Sequence, residues 1–105
     1  MDKEINRTVK KYVDRVAELQ PGLNSAFIFG SYAKNMQQID SDIDVALVIE
    51  NLSDSDRFDT QVRLMMLASQ IDNRIEPHPI SQDDLISKNP FVMEIMRTGI
   101  ELKIK

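Results

Sequence analysis

Gly30-Ser31 is followed, after a gap of ten residues, by Asp42-Ile43-Asp44, and both halves of this pattern adjoin apolar segments. The first half reads Ala26-Phe27-Ile28-Phe29-Gly30-Ser31-Tyr32-Ala33-Lys34, and the second Ser41-Asp42-Ile43-Asp44-Val45-Ala46-Leu47-Val48-Ile49. Residues two apart on a strand project from the same face, so Asp42 and Asp44 are expected side by side. An apolar strand has little reason to carry two adjacent negative charges unless a cation neutralises them. The expected occupant is a hard divalent ion that brings a nucleoside triphosphate with it.

The rest of the chain supplies a frame for that strand. Ile5, Val9, Tyr12, Val13 and Val16 recur at helical spacing through residues 2–19, and Gln20-Pro21-Gly22 ends the helix. Residues 24–29 read as a strand, and Gly30 to Asn35 as a turn leading into a helical turn. Residues 43–49 are apolar on both faces apart from the acids, which predicts a central strand. Ser53 to Asp56 offers N-cap residues for a helix to about Ile71. Arg74–Ile80 reads as a short strand that Pro77 and Pro79 confine to a sheet edge. Ser81-Gln82-Asp83-Asp84 resembles a capping box for a short helix, and Pro90 opens another that runs to Gly99. Ile100–Ile104 is expected as a last strand. The order predicts an α/β domain with a mixed sheet.

The helix that begins near Asp56 carries two apolar stripes. Phe58, Val62, Met65 and Met66 fall on one side, and Leu64, Leu67, Ala68 and Ile71 on nearly the opposite one. Such a helix either lies between layers or offers its second face to a partner.

Nucleotidyl transfer requires about three acidic ligands close together to hold metal against a triphosphate. Asp42 and Asp44 supply two. Glu76, in the middle of Arg74-Ile75-Glu76-Pro77, is the best placed third. Gly30 would let the backbone approach phosphate, and Ser31 would add a hydroxyl and amides at a helix N-terminus. Lys34, one helical turn on, would reach phosphate as a point charge. His78 shares a face with Glu76 by alternation, but a lone histidine between two prolines reads first as structural or solvated. Asp40 reads as a loop residue, and Asp54, Asp56, Asp83 and Asp84 as helix-start acids explained by capping and the helix dipole.

The 105 residues are enough for one core and are expected to form a single domain, 1–105. A net charge of −4 argues against sequence-independent nucleic-acid binding, which needs a basic surface. The lack of cysteine excludes disulfides and thiolate metal sites. Neither a membrane-length apolar run nor a leader pattern is visible, so a cytoplasmic location without membrane contact is expected.

The quoted residues resemble those of the DNA polymerase beta-like nucleotidyltransferase superfamily, in its minimal form, the MNT domain. The family pattern of Gly-Ser, ten residues, then Asp-x-Asp falls on Gly30-Ser31 and Asp42-Ile43-Asp44, and Glu76 falls where the family has its third acid. The resemblance implies a polymerase beta-like palm, a mixed sheet of about four strands flanked by helices. It also implies Mg²⁺, as two ions, on Asp42, Asp44 and Glu76, with ATP as substrate held by Gly30 and Ser31. Members often have Arg-Gly where this chain has Lys34-Asn35. Lysine keeps the charge without the bidentate fork, and Asn suits a left-handed backbone next best after Gly.

Small members resemble the antitoxins of HEPN–MNT toxin–antitoxin pairs, which implies a helical HEPN ribonuclease as partner. The implied activity is transfer of AMP from ATP to a tyrosine of that toxin. Two alternatives have other consequences: a catalytically weak antitoxin that acts by binding alone, and a nucleotidyltransferase for a small molecule such as an aminoglycoside. The small-molecule enzymes usually need a further domain for the acceptor. A module that only binds has no physical need for an intact acid set.

Overall fold

A computed structural model describes residues 3–38 and 41–104, and within them eight elements follow one another. They are α1 (Lys3–Leu19), β1 (Leu23–Phe29), β2 (Ile43–Ile49), α2 (Asp54–Ile71), β3 (Ile75–Ser81), α3 (Gln82–Ile86), α4 (Pro90–Thr98) and β4 (Ile100–Leu102). Asp40 lies outside the described residues.

The strands form one mixed sheet in the order β3-β2-β1-β4. β1 runs antiparallel to β2 and β4, whereas β2 and β3 are parallel, and α2 provides the crossover that parallel neighbours require. The central place predicted for 43–49 holds. So does the edge place predicted for β3. The Pro77 and Pro79 carbonyls accept hydrogen bonds from Gln61 Nε2 (2.9 Å) and Arg57 Nη1 (3.3 Å) of α2, and so face away from β2. Proline has no N–H to leave unpaired on that side, so the edge is closed to further strands at no hydrogen-bonding cost.

Alternation divides the sheet into two faces. Ala26, Ile28, Ile43, Val45, Leu47, Ile49 and Ile75 pack against α1 and α2, where Val9, Tyr12, Val13 and Leu64 are buried. The Tyr12 hydroxyl donates to the Leu64 carbonyl at 2.9 Å and ties the two helices together. On the opposite face Phe27, Ala46, Val48 and Ile80 pack with Val92 and Ile95 of α4. This second core does not include Asp44 and Glu76, which lie on the same face nearer the start of β2 and β3.

Local signals act much as read. Ser53 accepts from the Asp56 amide (3.3 Å), Ser81 from Asp83 (3.2 Å), and Asn89 from Phe91 (3.0 Å) beside Pro90 in the first turn of α4. The two stripes of α2 are treated unequally. Leu64 and Ala68 are buried and Leu67 and Ile71 pack against the core, while Phe58, Val62, Met65 and Met66 are 76%, 40%, 52% and 61% exposed. The helix lies in an outer layer, with the sheet and α1 covering one side only.

Candidate active site

The site begins where β1 ends. Gly30 turns the chain with φ +73, a left-handed value that L side chains rarely adopt, and a Cβ at this position would run into the Asp44 carboxylate. Glycine is therefore required twice, for the turn and for the acid beside it.

Gly30 to Asn35 are expected to make a turn leading into a helical turn, with Ser31 at a helix N-terminus. They form a single winding that stops at once. The Met36 amide donates to the Ser31 carbonyl (2.8 Å) and the Asn35 amide to Tyr32 (3.4 Å), with Asn35 at φ 56. This is the Schellman arrangement, and Asn35 takes its left-handed position. The Lys34 amide donates to the Gly30 carbonyl at 3.2 Å, so Lys34 does sit one turn beyond Gly30, with an exposed side chain. Tyr32 is buried under the winding and lies against Arg74. Asp72 grips that arginine through Nε (3.1 Å) and Nη2 (2.8 Å), which fixes the approach to β3.

The parallel register sets Asp44 opposite Glu76, and Ala46 opposite His78. Asp42 stands just ahead of β2, exposed, with its carboxyl close enough to Glu76 to share a hydrogen bond. Partial burial raises the Glu76 pKa above the usual glutamate value. Asp42 and Asp44 push it the same way, and His78 opposes them. Because the Glu76 side chain is 49% exposed, the desolvation is incomplete, and crowding among the acids reinforces its direction. The three acids read from the sequence therefore converge, with Gly30 against Asp44. Ser31 and Lys34 follow in the winding.

His78 belongs to the same group, although its sequence context pointed to a structural or solvated role. Its Nε2 lies 3.2 Å from Asp44 Oδ1 and 4.0 Å from Glu76 Oε1. The ring meets Phe29 edge-on at 5.0 Å between centroids, and Phe29 meets Phe91 of α4 at 5.8 Å. The small Ala46 opposite leaves room for the imidazole. One ligand atom each from Asp44, Glu76 and His78 can be chosen so that all lie within 4.8 Å of one another. Carboxylates arranged so closely suit a hard divalent cation. Alternation had placed His78 on this face; the register that brings it to Asp44 was the missing information.

Comparison with known proteins accords with this geometry. Residues 10–105 match the family described as Polymerase beta, Nucleotidyltransferase. The chain belongs to that family. Its nucleotidyltransferase domain thus spans the winding, the acid strand and Glu76 together. Among solved structures, a candidate nucleotidyltransferase from Sulfolobus solfataricus is 25% identical with a TM-score of 0.63, covering 80% of this chain and 73% of that one. A chain from a toxin–antitoxin complex with AMP-PNP is 22% identical, with a TM-score of 0.61 over 95% of this chain and 73% of that one. A chain from the complex of tri-AMPylated Shewanella oneidensis HEPN toxin with MNT antitoxin is 19% identical, with a TM-score of 0.57 over 99% and 74%. At these identities the two complexes show a shared fold. No curated protein sequence matches. No helix among the described residues is long and apolar enough to cross a membrane.

Proposed function

We propose that residues 1–105 act as a minimal Mg²⁺-dependent nucleotidyltransferase, an antitoxin that transfers AMP from ATP to a tyrosine of a HEPN-type toxin and so neutralises it. The observation that carries this reading is the convergence of Asp42, Asp44 and Glu76 beside Gly30, in a chain of the polymerase beta nucleotidyltransferase family. Supporting the choice of acceptor, structures with this fold occur in complexes named for an AMPylated HEPN toxin and its antitoxin. The exposed stripe of α2 also suits a protein partner better than a small acceptor.

In this reading Asp42, Asp44 and Glu76 would hold two Mg²⁺ ions, whose contribution would be to neutralise the triphosphate and polarise the reacting oxygens. Gly30 lets the backbone approach the phosphates without obstruction, and Ser31 and Lys34 donate to their oxygens. The acceptor hydroxyl forms its bond to the α-phosphorus as the bond to pyrophosphate breaks, and the hydroxyl proton is released. A cytoplasmic location, where ATP is abundant, suits this reaction.

The test is to incubate the purified protein with ATP, Mg²⁺ and the product of the neighbouring gene, and to weigh the partner. A mass increase of one or more AMP units on a partner tyrosine is expected. A stable complex without any mass shift, under every nucleoside triphosphate, would leave binding alone as the mode of neutralisation.

A further inference from the structure

His78 occupies a position for which the acid-site reading has no use. Its Nε2 is 3.2 Å from one Asp44 oxygen and 4.0 Å from one Glu76 oxygen. Around an octahedral ion with bonds of about 2.1 Å, adjacent ligands are about 3.0 Å apart and opposite ligands about 4.2 Å. The two histidine separations fall within this range, and one ligand atom from each of Asp44, Glu76 and His78 lies within 4.8 Å of the others, so a modest side-chain adjustment lets one ion meet both carboxylates and the imidazole. The ring is also held in place. Phe29 supports it edge-on, and Pro77 and Pro79 stiffen the strand on both sides.

From this we infer that His78 is a direct metal ligand, and that Asp44, Glu76 and His78 form a mixed nitrogen–oxygen centre that selects Mn²⁺ over Mg²⁺. The inference rests on the proposal that the acids bind metal, and goes beyond it in the ligand set and the ion. Mg²⁺ keeps oxygen ligands and water and gains little from an imidazole. First-row transition ions accept imidazole more readily than Mg²⁺, and Mn²⁺ is the one among them that leans most toward carboxylate and water ligands. The competing role for His78 is a hydrogen bond to Asp44. In that role it orients the carboxylate but leaves the metal with oxygen ligands only.

The two roles differ in a spectroscopic signature. Mn²⁺ is titrated into the full chain without nucleotide and followed by electron paramagnetic resonance, with Mg²⁺ as competitor. Pulsed measurements on the bound ion then test for ¹⁴N coupling. The expected result is coupling from one imidazole in the wild type. In His78→Ala the coupling disappears and Mn²⁺ binding weakens at least about tenfold, while Mg²⁺ binding stays within about twofold. His78→Gln, which retains bulk and an oxygen donor, also lacks the coupling. Mn²⁺ bound without nitrogen coupling in the wild type overturns the inference and leaves the acid site standing. Equal weakening of both ions in His78→Ala also overturns it, because His78 then only positions Asp44. A folded wild type that binds neither ion overturns both the inference and the metal-dependent reading beneath it. Should His78→Ala fail to fold, the wild-type spectrum decides.

Discussion

Asp44 and Glu76 face each other on the same rung of the parallel ladder between β2 and β3. Like charges directly opposite one another oppose sheet formation, and Asp42, which also pushes the Glu76 pKa up, adds a third acid to the cluster. An arrangement that opposes sheet formation yet is built into the ladder where β2 and β3 begin suits an ion-binding site.

Glu76→Gln is therefore expected to stabilise the metal-free protein near neutral pH. The Glu76 pKa is raised above 4.5 in the folded state. The folded state thus favours the protonated form, whose stabilising contribution is complete below 4.5 and is lost as pH rises through the raised value. With 49% of the side chain exposed, the gain at neutral pH is on the order of half a kcal/mol. Thermal melts in chelator should show the variant melting higher than wild type at pH 7, with the difference vanishing at pH 4. Equal melting at both pH values would show that the acids do not repel one another.

Gly30→Ala tests the contact between the winding and the acid strand. The backbone at φ +73 disfavours any side chain, and the added Cβ would displace the Asp44 carboxylate. A loss of about 1–3 kcal/mol is expected in denaturant unfolding, together with weaker divalent-ion binding. Gly30→Asn separates the two causes. Asn tolerates the left-handed backbone but carries the same Cβ, so it should recover part of the stability and little of the ion binding.

Asp72 supports the site from outside it. Its oxygens accept from the Arg74 amide (2.9 Å), Nε (3.1 Å) and Nη2 (2.8 Å), and the hydrogen-bonded guanidinium holds its carboxyl below the ordinary 3.8. A lowered acid stabilises the fold above 3.8, and that stability is lost as pH falls through the lower folded value. Asp72→Asn should cost about 1 kcal/mol at pH 7 by denaturant unfolding. The cost should shrink toward pH 2, where the wild-type carboxyl is protonated as well.

Much of this was legible in the sequence because the relevant signals are local. The N-caps Ser53 and Ser81 and the two prolines of β3 each act within a few residues, whereas β2 begins at Ile43 and leaves Asp42 just ahead of the strand on which it was expected. Glu76 could be read because a strand with Pro77 and Pro79 belongs at an edge, next to whatever strand is central. Two features depended on distant parts of the chain. His78 meets Asp44 only because β2 and β3 pair with Ala46 opposite the histidine. The second stripe of α2 is exposed because nothing among the described residues covers it, whereas periodicity shows only that a stripe exists.

Asp42→Asn combined with Asp44→Asn separates catalysis from folding. Both replacements keep the side-chain size and remove charge from a crowded cluster. Asp42 is exposed before β2, and Asp44 keeps 24% of its side chain in water. Neither belongs to the two apolar cores, so melting temperature should hold or rise. AMP transfer should fall by at least about a thousandfold, the rate equivalent of roughly 4 kcal/mol of lost transition-state stabilisation. Partner binding by titration calorimetry should stay within a few-fold of wild type, because the exposed stripe of α2 is untouched. A double variant that unfolds would identify the two acids as structural. One that folds, binds its partner and still transfers AMP at the wild-type rate would move the chemistry away from the strand on which the site is built.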